Sequence, residues 1–126
     1  MAQNLEKHIL LVDDSSMIRK SIRNILKQAG YENISEVDDG EKAWKFVKSQ
    51  TVDLVISDWK MPVMTGLDLL KLIRGDEQTK HIPMMMLTAE ALSTSYVDAV
   101  RAGVNAYLTK PFEPHQVLEK VQKILE

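Results

Sequence analysis

The sequence predicts an α/β fold in which a parallel β-sheet carries helices on both faces. Five short segments rich in Ile, Val, Leu or Met alternate with longer segments whose apolar residues recur at helical spacing. Repeated strand–helix alternation favours a parallel sheet, because parallel strands must be joined by crossover helices. The predicted strands are residues 8–12, 34–37, 54–57, 83–87 and 106–109. The first and third are nearly continuous apolar runs, which is typical of strands covered on both faces.

Three apolar stripes at helical spacing lie between and after these strands. Their members are Ile18, Ile22, Ile25, Leu26 and Ala29 in the first stripe, Leu92, Tyr96, Ala99 and Val100 in the second, and Leu118, Val121, Ile124 and Leu125 in the third. Gly30 and Gly103 follow the first two stripes, where a left-handed residue would end a helix. Pro114 precedes the third, where its missing N–H costs little. The segments after Gly40 and Gly66 are also predicted to be helical.

Length and composition narrow the class of protein. At 126 residues the chain is long enough to bury a core, and we expect residues 1–126 to form one domain without an attached output domain. The formal net charge of -2 argues against non-specific nucleic-acid binding. The absence of cysteine excludes disulfides and thiol catalysis. Because the apolar runs are too short for a signal peptide or a membrane span, we expect a cytoplasmic protein.

Chemically active side chains follow the central predicted strands. Asp13 and Asp14 come directly after the first strand, and Asp58 comes after the third. Thr88 follows the fourth strand and Lys110 follows the fifth. Ligands of open α/β sheets bind beyond the carboxyl ends of the strands, so these side chains are expected to converge. Three crowded carboxylates need a divalent cation to stay ionised, and an all-oxygen site without Cys or His favours Mg²⁺.

Such a site would support phosphoryl transfer to Asp58. The ionised carboxylate could attack a phosphoryl donor, while Lys110 and Thr88 stabilise the transferred oxygens. Taken singly, each residue has a plainer interpretation, since an Asp or Thr after a strand is commonly a turn or cap residue and a lone lysine is usually solvated. Asp38 and Asp39 also follow a strand, but one predicted to lie at the sheet edge. We interpret that pair as turn and cap.

Four stretches of the sequence resemble the receiver domains of bacterial response regulators. They are ILLVDDSSMIRK around Asp13, LVISDWKMPVMTGLDLLKLIR around Asp58, MMMLTAE around Thr88, and AYLTKPF, which contains Lys110. The resemblance covers essentially the whole chain and implies a flavodoxin-like five-stranded parallel sheet of order 2-1-3-4-5 with five helices. Within the family, the chain is most similar to the single-domain chemotaxis regulators.

The resemblance implies roles for the acidic residues and their loop. Asp58 would be the phosphoacceptor. Asp14, Asp58 and the backbone carbonyl of Lys60 would bind Mg²⁺, and Asp13 would act mainly through a water molecule. Pro62 and Gly66 match the tight loop that follows the acceptor strand in the family, and a plain turn role for both is compatible with that.

The resemblance also implies a switch. Thr88 and Lys110 would contact the phosphoryl group, and the peptide bond between Lys110 and Pro111 would be cis. On phosphorylation, Thr88 would shift towards the phosphoryl group and Tyr107 would turn inward into the vacated space. These movements would remodel the face made by the fourth helix, the fifth strand and the last helix.

Two positions depart from the pattern of the chemotaxis regulators. Lys60 stands where those proteins usually carry Asn, and Leu92 stands where they usually carry Lys. We hypothesise that the Lys60 ammonium pairs with Glu90 or leans over the phosphoryl group, which would hinder the attacking water and prolong the phosphorylated state. Leu92 makes the expected partner face less basic and more apolar.

The resemblance implies particular partners for a stand-alone, monomeric regulator. The phosphoryl donor would be a chemotaxis-type sensor histidine kinase, the target a flagellar motor-switch component, and a phosphatase a further partner. A single-domain phosphorelay intermediate, which passes its phosphoryl group to a histidine phosphotransfer protein, would use the same acidic pocket and stays open. A Mg²⁺-dependent phosphohydrolase is disfavoured because the sequence offers no second catalytic acid. We therefore expect no enzyme, although the chain would catalyse its own phosphorylation and dephosphorylation.

Overall fold

Strands and helices alternate along the chain in the computed structural model, which describes residues 5–89 and 94–126. The strands are β1 (Ile9–Val12), β2 (Ile34–Val37), β3 (Leu54–Asp58), β4 (Met84–Thr88) and β5 (Ala106–Thr109). The helices are α1 (Ser16–Gln28), α2 (Gly40–Ser49), α3 (Gly66–Arg74), α4 (Thr94–Arg101) and α5 (Pro114–Leu125). Glu90 and Leu92, on which two of the hypotheses rest, lie outside the described residues. No helix in the described ranges has the length and apolar character that crossing a bilayer requires.

The strands form one parallel sheet in the order β2-β1-β3-β4-β5. This order confirms the predicted topology. Two strands extend one residue further than predicted, because Asp58 pairs with Leu87 and Thr88 pairs with Thr109 in the ladder. Asp58 and Thr88 are therefore the last residues of β3 and β4 rather than the first residues of loops. Their backbones are consequently held by the sheet, which fixes where their side chains start.

The two faces of the sheet bury separate hydrophobic clusters, because successive strand residues point to opposite faces. Against α2, α3 and α4 the central strands place Leu10, Val12, Val55, Met84 and Met86. Against α1 and α5 they place Ile9, Leu11, Leu54, Ile56, Met85 and Leu87. Both layers are closed by helix residues that are themselves buried, such as Leu69 of α3 and Val117 of α5. The central strands are thus covered on both faces, as their continuous apolar runs predicted.

Helix α2 begins at the acidic pair that follows the edge strand. The Asp39 side chain caps the helix by accepting from the Lys42 backbone N–H at 2.7 Å. The neighbouring Asp38 carboxylate accepts from the Lys42 ammonium at 2.8 Å. The interpretation of this pair as turn and cap is confirmed. It also separates these two acids from those that follow the central strands β1 and β3.

Candidate functional site

The three acids predicted to bind a metal lie together at the carboxyl edge of the sheet. One carboxylate oxygen from each of Asp13, Asp14 and Asp58 lies within 4.8 Å of the other two. Asp13 and Asp58 are buried, with 3% and 8% of their surface exposed, whereas Asp14 is exposed. The cluster is therefore backed by protein and opens to solvent on the Asp14 side.

Lys110 points into this cluster. Its Nζ lies 3.0 Å from Asp58 Oδ1 and 3.5 Å from Asp13 Oδ2. The peptide bond between Lys110 and Pro111 is cis, as the resemblance implied. The Lys110 backbone N–H donates to the Thr88 carbonyl at 2.7 Å. This lysine is therefore an ion-pair partner of the site rather than a solvated surface residue, and it offsets part of the charge of the three carboxylates.

The two carboxylate oxygens of Asp13 differ in their hydrogen bonding. Its Oδ1 accepts from the Ser15 backbone N–H at 2.8 Å. Its Oδ2 is buried and has no hydrogen-bond partner within the described residues, although the Lys110 ammonium is nearby. Burial raises the pKa of Asp13, and the negative charges of Asp58 and Asp14 add to that rise. A buried carboxylate oxygen without a donor, beside two further carboxylates, fits a site for a hard cation with oxygen ligands.

The expected switch residues lie on the neighbouring strands β4 and β5. Thr88 is buried and ends β4 next to Asp58 of β3, and its ladder partner on β5 is Thr109. Tyr107 lies two residues before Thr109 and is half-buried, with its hydroxyl oxygen out of contact with solvent. Its ring meets the Tyr96 ring of α4 edge-to-face at a centroid distance of 5.0 Å. Tyr107 therefore contacts the helix of the expected partner face.

The loop between β3 and α3 packs closely against the backbone of Asp58. A Cβ atom at Gly66 would lie 2.5 Å from the Asp58 carbonyl oxygen, so only glycine fits there. The Gly66 N–H donates to the Trp59 carbonyl at 2.8 Å. Lys60 is the second residue of this loop and has an exposed side chain, and its carbonyl is the group expected to bind the metal. Its expected partner Glu90 lies outside the part of the chain that the structure describes.

The resemblance implied a tight loop here, but the sequence did not predict the left-handed residue at its tip. Val63 has a positive φ of 70° and is fully exposed. The Met64 N–H donates across it to the Pro62 carbonyl at 2.7 Å, which closes a three-residue γ-turn. A β-branched residue is the least expected occupant of this backbone region, so residue type gave no signal. Strain of this kind is found where the surrounding structure fixes a loop for function.

Comparison with known proteins identifies the family to which this fold and acidic site belong. Residues 9–122 match the model of the response regulator receiver domain. The chain therefore belongs to the receiver domain family.

Several of the proteins that are similar to this chain are CheY proteins. The chain is 46% identical to the chemotaxis protein CheY of Pseudomonas aeruginosa, over 94% of this chain and 95% of that protein. It is also 46% identical to the chemotaxis protein CheY-3 of Vibrio cholerae, over 98% of this chain and 95% of that protein. The solved structure of CheY4 of Vibrio cholerae matches with a TM-score of 0.87 and 36% identity, covering 95% of this chain and 99% of that one. The chain is thus a CheY-like receiver domain, as its motifs implied.

We predict that Asp13→Asn stabilises the protein in the absence of Mg²⁺. Because burial raises the pKa of Asp13 above its unfolded value, the folded state binds more protons, and stability falls as pH rises from the unfolded pKa through the folded one. Above that window the ionised carboxylate destabilises the fold, and the substitution removes this charge. We expect the free energy of unfolding at pH 7 with EDTA to rise by about 1 kcal/mol in urea titrations.

The matched control for this prediction is Glu119→Gln, which removes a negative charge from an exposed position on α5. This variant should leave the free energy of unfolding nearly unchanged. Added Mg²⁺ should stabilise the parent more than Asp13→Asn, because ligand binding to the folded state adds to stability. A variant at Asp13 that is no more stable than the parent in EDTA would contradict the prediction.

Proposed function

We propose that the chain is a stand-alone phosphoacceptor response regulator of a two-component system, in which Asp58 receives a phosphoryl group from a sensor histidine kinase. The observation that supports this most directly is the Asp58 carboxylate, buried among acids and paired with the Lys110 ammonium at 3.0 Å. A stand-alone role for residues 1–126 is supported by relatives of nearly the same length, since the chain covers 95% of the Pseudomonas aeruginosa CheY.

Asp58 acts as the nucleophile in this proposal. One of its carboxylate oxygens bonds to phosphorus while the P–N bond of a phosphohistidine breaks, and the leaving imidazole takes up a proton from solvent. The Lys110 ammonium pairs with one oxygen of the transferred phosphoryl group, and the Thr88 hydroxyl donates a hydrogen bond to a second phosphoryl oxygen. Hydrolysis reverses the state, because water attacks the phosphorus and the P–O bond to Asp58 breaks to release phosphate.

The acidic cluster is proposed to hold Mg²⁺. Asp14, Asp58 and the backbone carbonyl of Lys60 are the ligands, and Asp13 acts mainly through a water molecule. The support is the all-oxygen donor set and the buried Asp13 Oδ2 that has no hydrogen-bond partner among the described residues. When bound, the metal supplies positive charge that offsets the oxygens of the phosphoryl group. The protein supplies the alignment, since the sheet fixes Asp58 and the Ser15 N–H fixes Asp13.

The face made by α4, β5 and α5 is proposed to bind the target protein and to change on phosphorylation. Thr88 shifts towards the phosphoryl group, and Tyr107 turns further inward into the vacated space. Since the Tyr107 ring packs on Tyr96, this movement changes the surface of α4. That helix exposes Val97 and Val100, at 46% and 52%, which suits a protein partner better than solvent.

The proposed pathway is chemotaxis. The relatives named as chemotaxis proteins support a kinase of the chemotaxis type as donor and a flagellar motor-switch component as target. The protein would act as a monomer in the cytoplasm, where a phosphatase could shorten the phosphorylated state. Neither nucleic acid nor membrane is needed for this action.

We predict that Asp58→Asn loses phosphorylation. With phosphoramidate and Mg²⁺, the parent should gain the mass of one phosphoryl group, which is lost again on standing because an acyl phosphate hydrolyses. Trp59 fluorescence should change at the same time, since this side chain follows Asp58 and is buried beside the site. The control Asp39→Asn, which alters a helix cap, should behave as the parent does. If Asp58→Asn gained the same labile mass, the assignment would be wrong.

We predict that the chain restores motor control in Pseudomonas aeruginosa cells that lack their CheY. Reversals of swimming direction should return with the parent chain and not with Asp58→Asn, scored by tracking single cells. In parallel, the phosphorylated protein should not pass its group to purified histidine phosphotransfer domains faster than it hydrolyses. Rapid onward transfer without restored reversals would favour the phosphorelay intermediate.

We predict that Lys60→Asn shortens the phosphorylated state. The Lys60 side chain is exposed at the start of the loop after Asp58, where its ammonium can obstruct the water that attacks the phosphoryl group. The lifetime of the acyl phosphate should fall several-fold, measured by the decay of the phosphorylated mass after donor removal. Lys45→Asn, a substitution on α2 away from the predicted site residues, is the control. An unchanged or longer lifetime in Lys60→Asn would refute the hypothesis.

A further inference from the structure

Arg19 connects the acidic site to the edge of the sheet. Its Nη1 donates to the backbone carbonyl of Asp13 at 2.6 Å, and its Nε donates to Glu36 Oε1 at 3.0 Å. The Arg19 side chain is only 17% exposed, although it lies on a surface helix. Because the guanidinium is a rigid planar fork, one side chain fixes the end of β1 relative to β2.

We propose that Arg19 is a positioning residue that sets the Mg²⁺ affinity of the acidic site. The inference rests on the proposed function, because it concerns the same metal site. The Asp13 carbonyl belongs to the planar peptide unit that joins Asp13 to Asp14, and both acids are part of that site. A donor that holds this carbonyl therefore orients the backbone of both acids at once.

The other contacts of this backbone leave room for such a role. The Asp13 N–H donates to the Val37 carbonyl at 3.3 Å, which is long for a ladder hydrogen bond. The Ser15 N–H holds the Asp13 side chain but not the peptide unit that leads to Asp14. The contact from Arg19 is the shortest of the three, and it is charge-assisted, so its removal should loosen this turn most.

Glu36 keeps Arg19 in place. Its two carboxylate oxygens accept from two arginines of α1, Oε1 from Arg19 and Oε2 from Arg23 at 2.8 Å. Glu36 lies on β2 opposite Leu11 of β1, so this carboxylate is carried by the sheet itself. Arg23 shares the carboxylate, but its other hydrogen-bond partner among the described residues is the Ile34 carbonyl of β2, away from the acids. Arg23 therefore offers a control that breaks a comparable ion pair without releasing Asp13.

The role of Arg19 is positional rather than electrostatic, because its guanidinium donates to a backbone carbonyl and not to a carboxylate of the site. Groups behind metal ligands commonly change metal affinity by about 10- to 100-fold when they are removed. Arg19 acts one step further back than a typical partner of this kind, so the lower end of that range is expected. Asp58, the phosphoacceptor, is held by β3 and should keep its position without Arg19.

The test is a Mg²⁺ titration followed by calorimetry and by tryptophan fluorescence in a Trp44→Phe background, so that the signal is that of Trp59. Arg19→Ala should raise the Mg²⁺ Kd about tenfold. Arg23→Ala should leave it within about twofold of the parent, although both variants lose an ion pair to Glu36. Arg19→Lys should fall between, because a single ammonium cannot hold both acceptors in the geometry of the fork. At saturating Mg²⁺, the rate of phosphorylation of Arg19→Ala by phosphoramidate should return to the parent value.

The outcomes separate this inference from the proposed function. If the parent binds Mg²⁺ and Asp14→Asn loses it, while Arg19→Ala matches Arg23→Ala, the role of Arg19 is overturned and the function stands. If the parent binds no Mg²⁺, both are overturned. Should Arg19→Ala fail to fold by circular dichroism, Arg19→Lys and Glu36→Ala decide the matter. A raised Kd in these two variants supports the inference, and an unchanged Kd overturns it.

Discussion

The mutual repulsion of three carboxylates at the ends of β1 and β3 is the constraint on which the site depends. Parallel strands place their carboxyl ends at one edge, so Asp13, Asp14 and Asp58 cannot separate without disrupting the sheet. Burial disfavours the ionised form of Asp13 and raises its pKa, and the negative charges of Asp58 and Asp14 add to that rise. The Lys110 ammonium offsets only part of this charge. The described residues therefore leave an excess of carboxylates at this edge, which is the property that a metal-dependent phosphoacceptor needs.

Much of the fold was predictable because its signals are local. Apolar runs gave the strands, and the alternation with helical stripes gave the parallel sheet. The strand ends were each predicted to within one residue, and the misses at Asp58 and Thr88 have a cause. Both are polar residues that continue the ladder, and hydrophobicity alone ends a strand at its last apolar residue. The strand order came from family resemblance rather than from the residues, since alternation by itself leaves several orders open.

The site was predictable in its members but not in its geometry. That Asp13, Asp14, Asp58, Thr88 and Lys110 share one edge follows from their places at the ends of parallel strands, although Lys110 follows the edge strand β5 and not a central strand as predicted. Which of them pair depends on side-chain distances that spacing does not encode. The contact of Arg19 with the Asp13 carbonyl depends on how α1 packs beside β2, and its anchor Glu36 lies 17 residues further along the chain. The left-handed conformation of Val63 was missed because a β-branched residue rarely adopts it.

Lys110 connects the acidic cluster to β4 and β5, the strands that carry the residues expected to respond to phosphorylation. Its ammonium pairs with Asp58, while its backbone N–H bonds to the carbonyl of Thr88. In the proposed function, a phosphoryl group on Asp58 draws that ammonium and the Thr88 hydroxyl towards itself. The ladder between β4 and β5 keeps both backbones in register, so the change falls on side chains. Tyr107 is the large side chain on β5 that can respond, and its ring already rests on α4. A charge added at one edge can thus alter an apolar surface without rearranging the sheet.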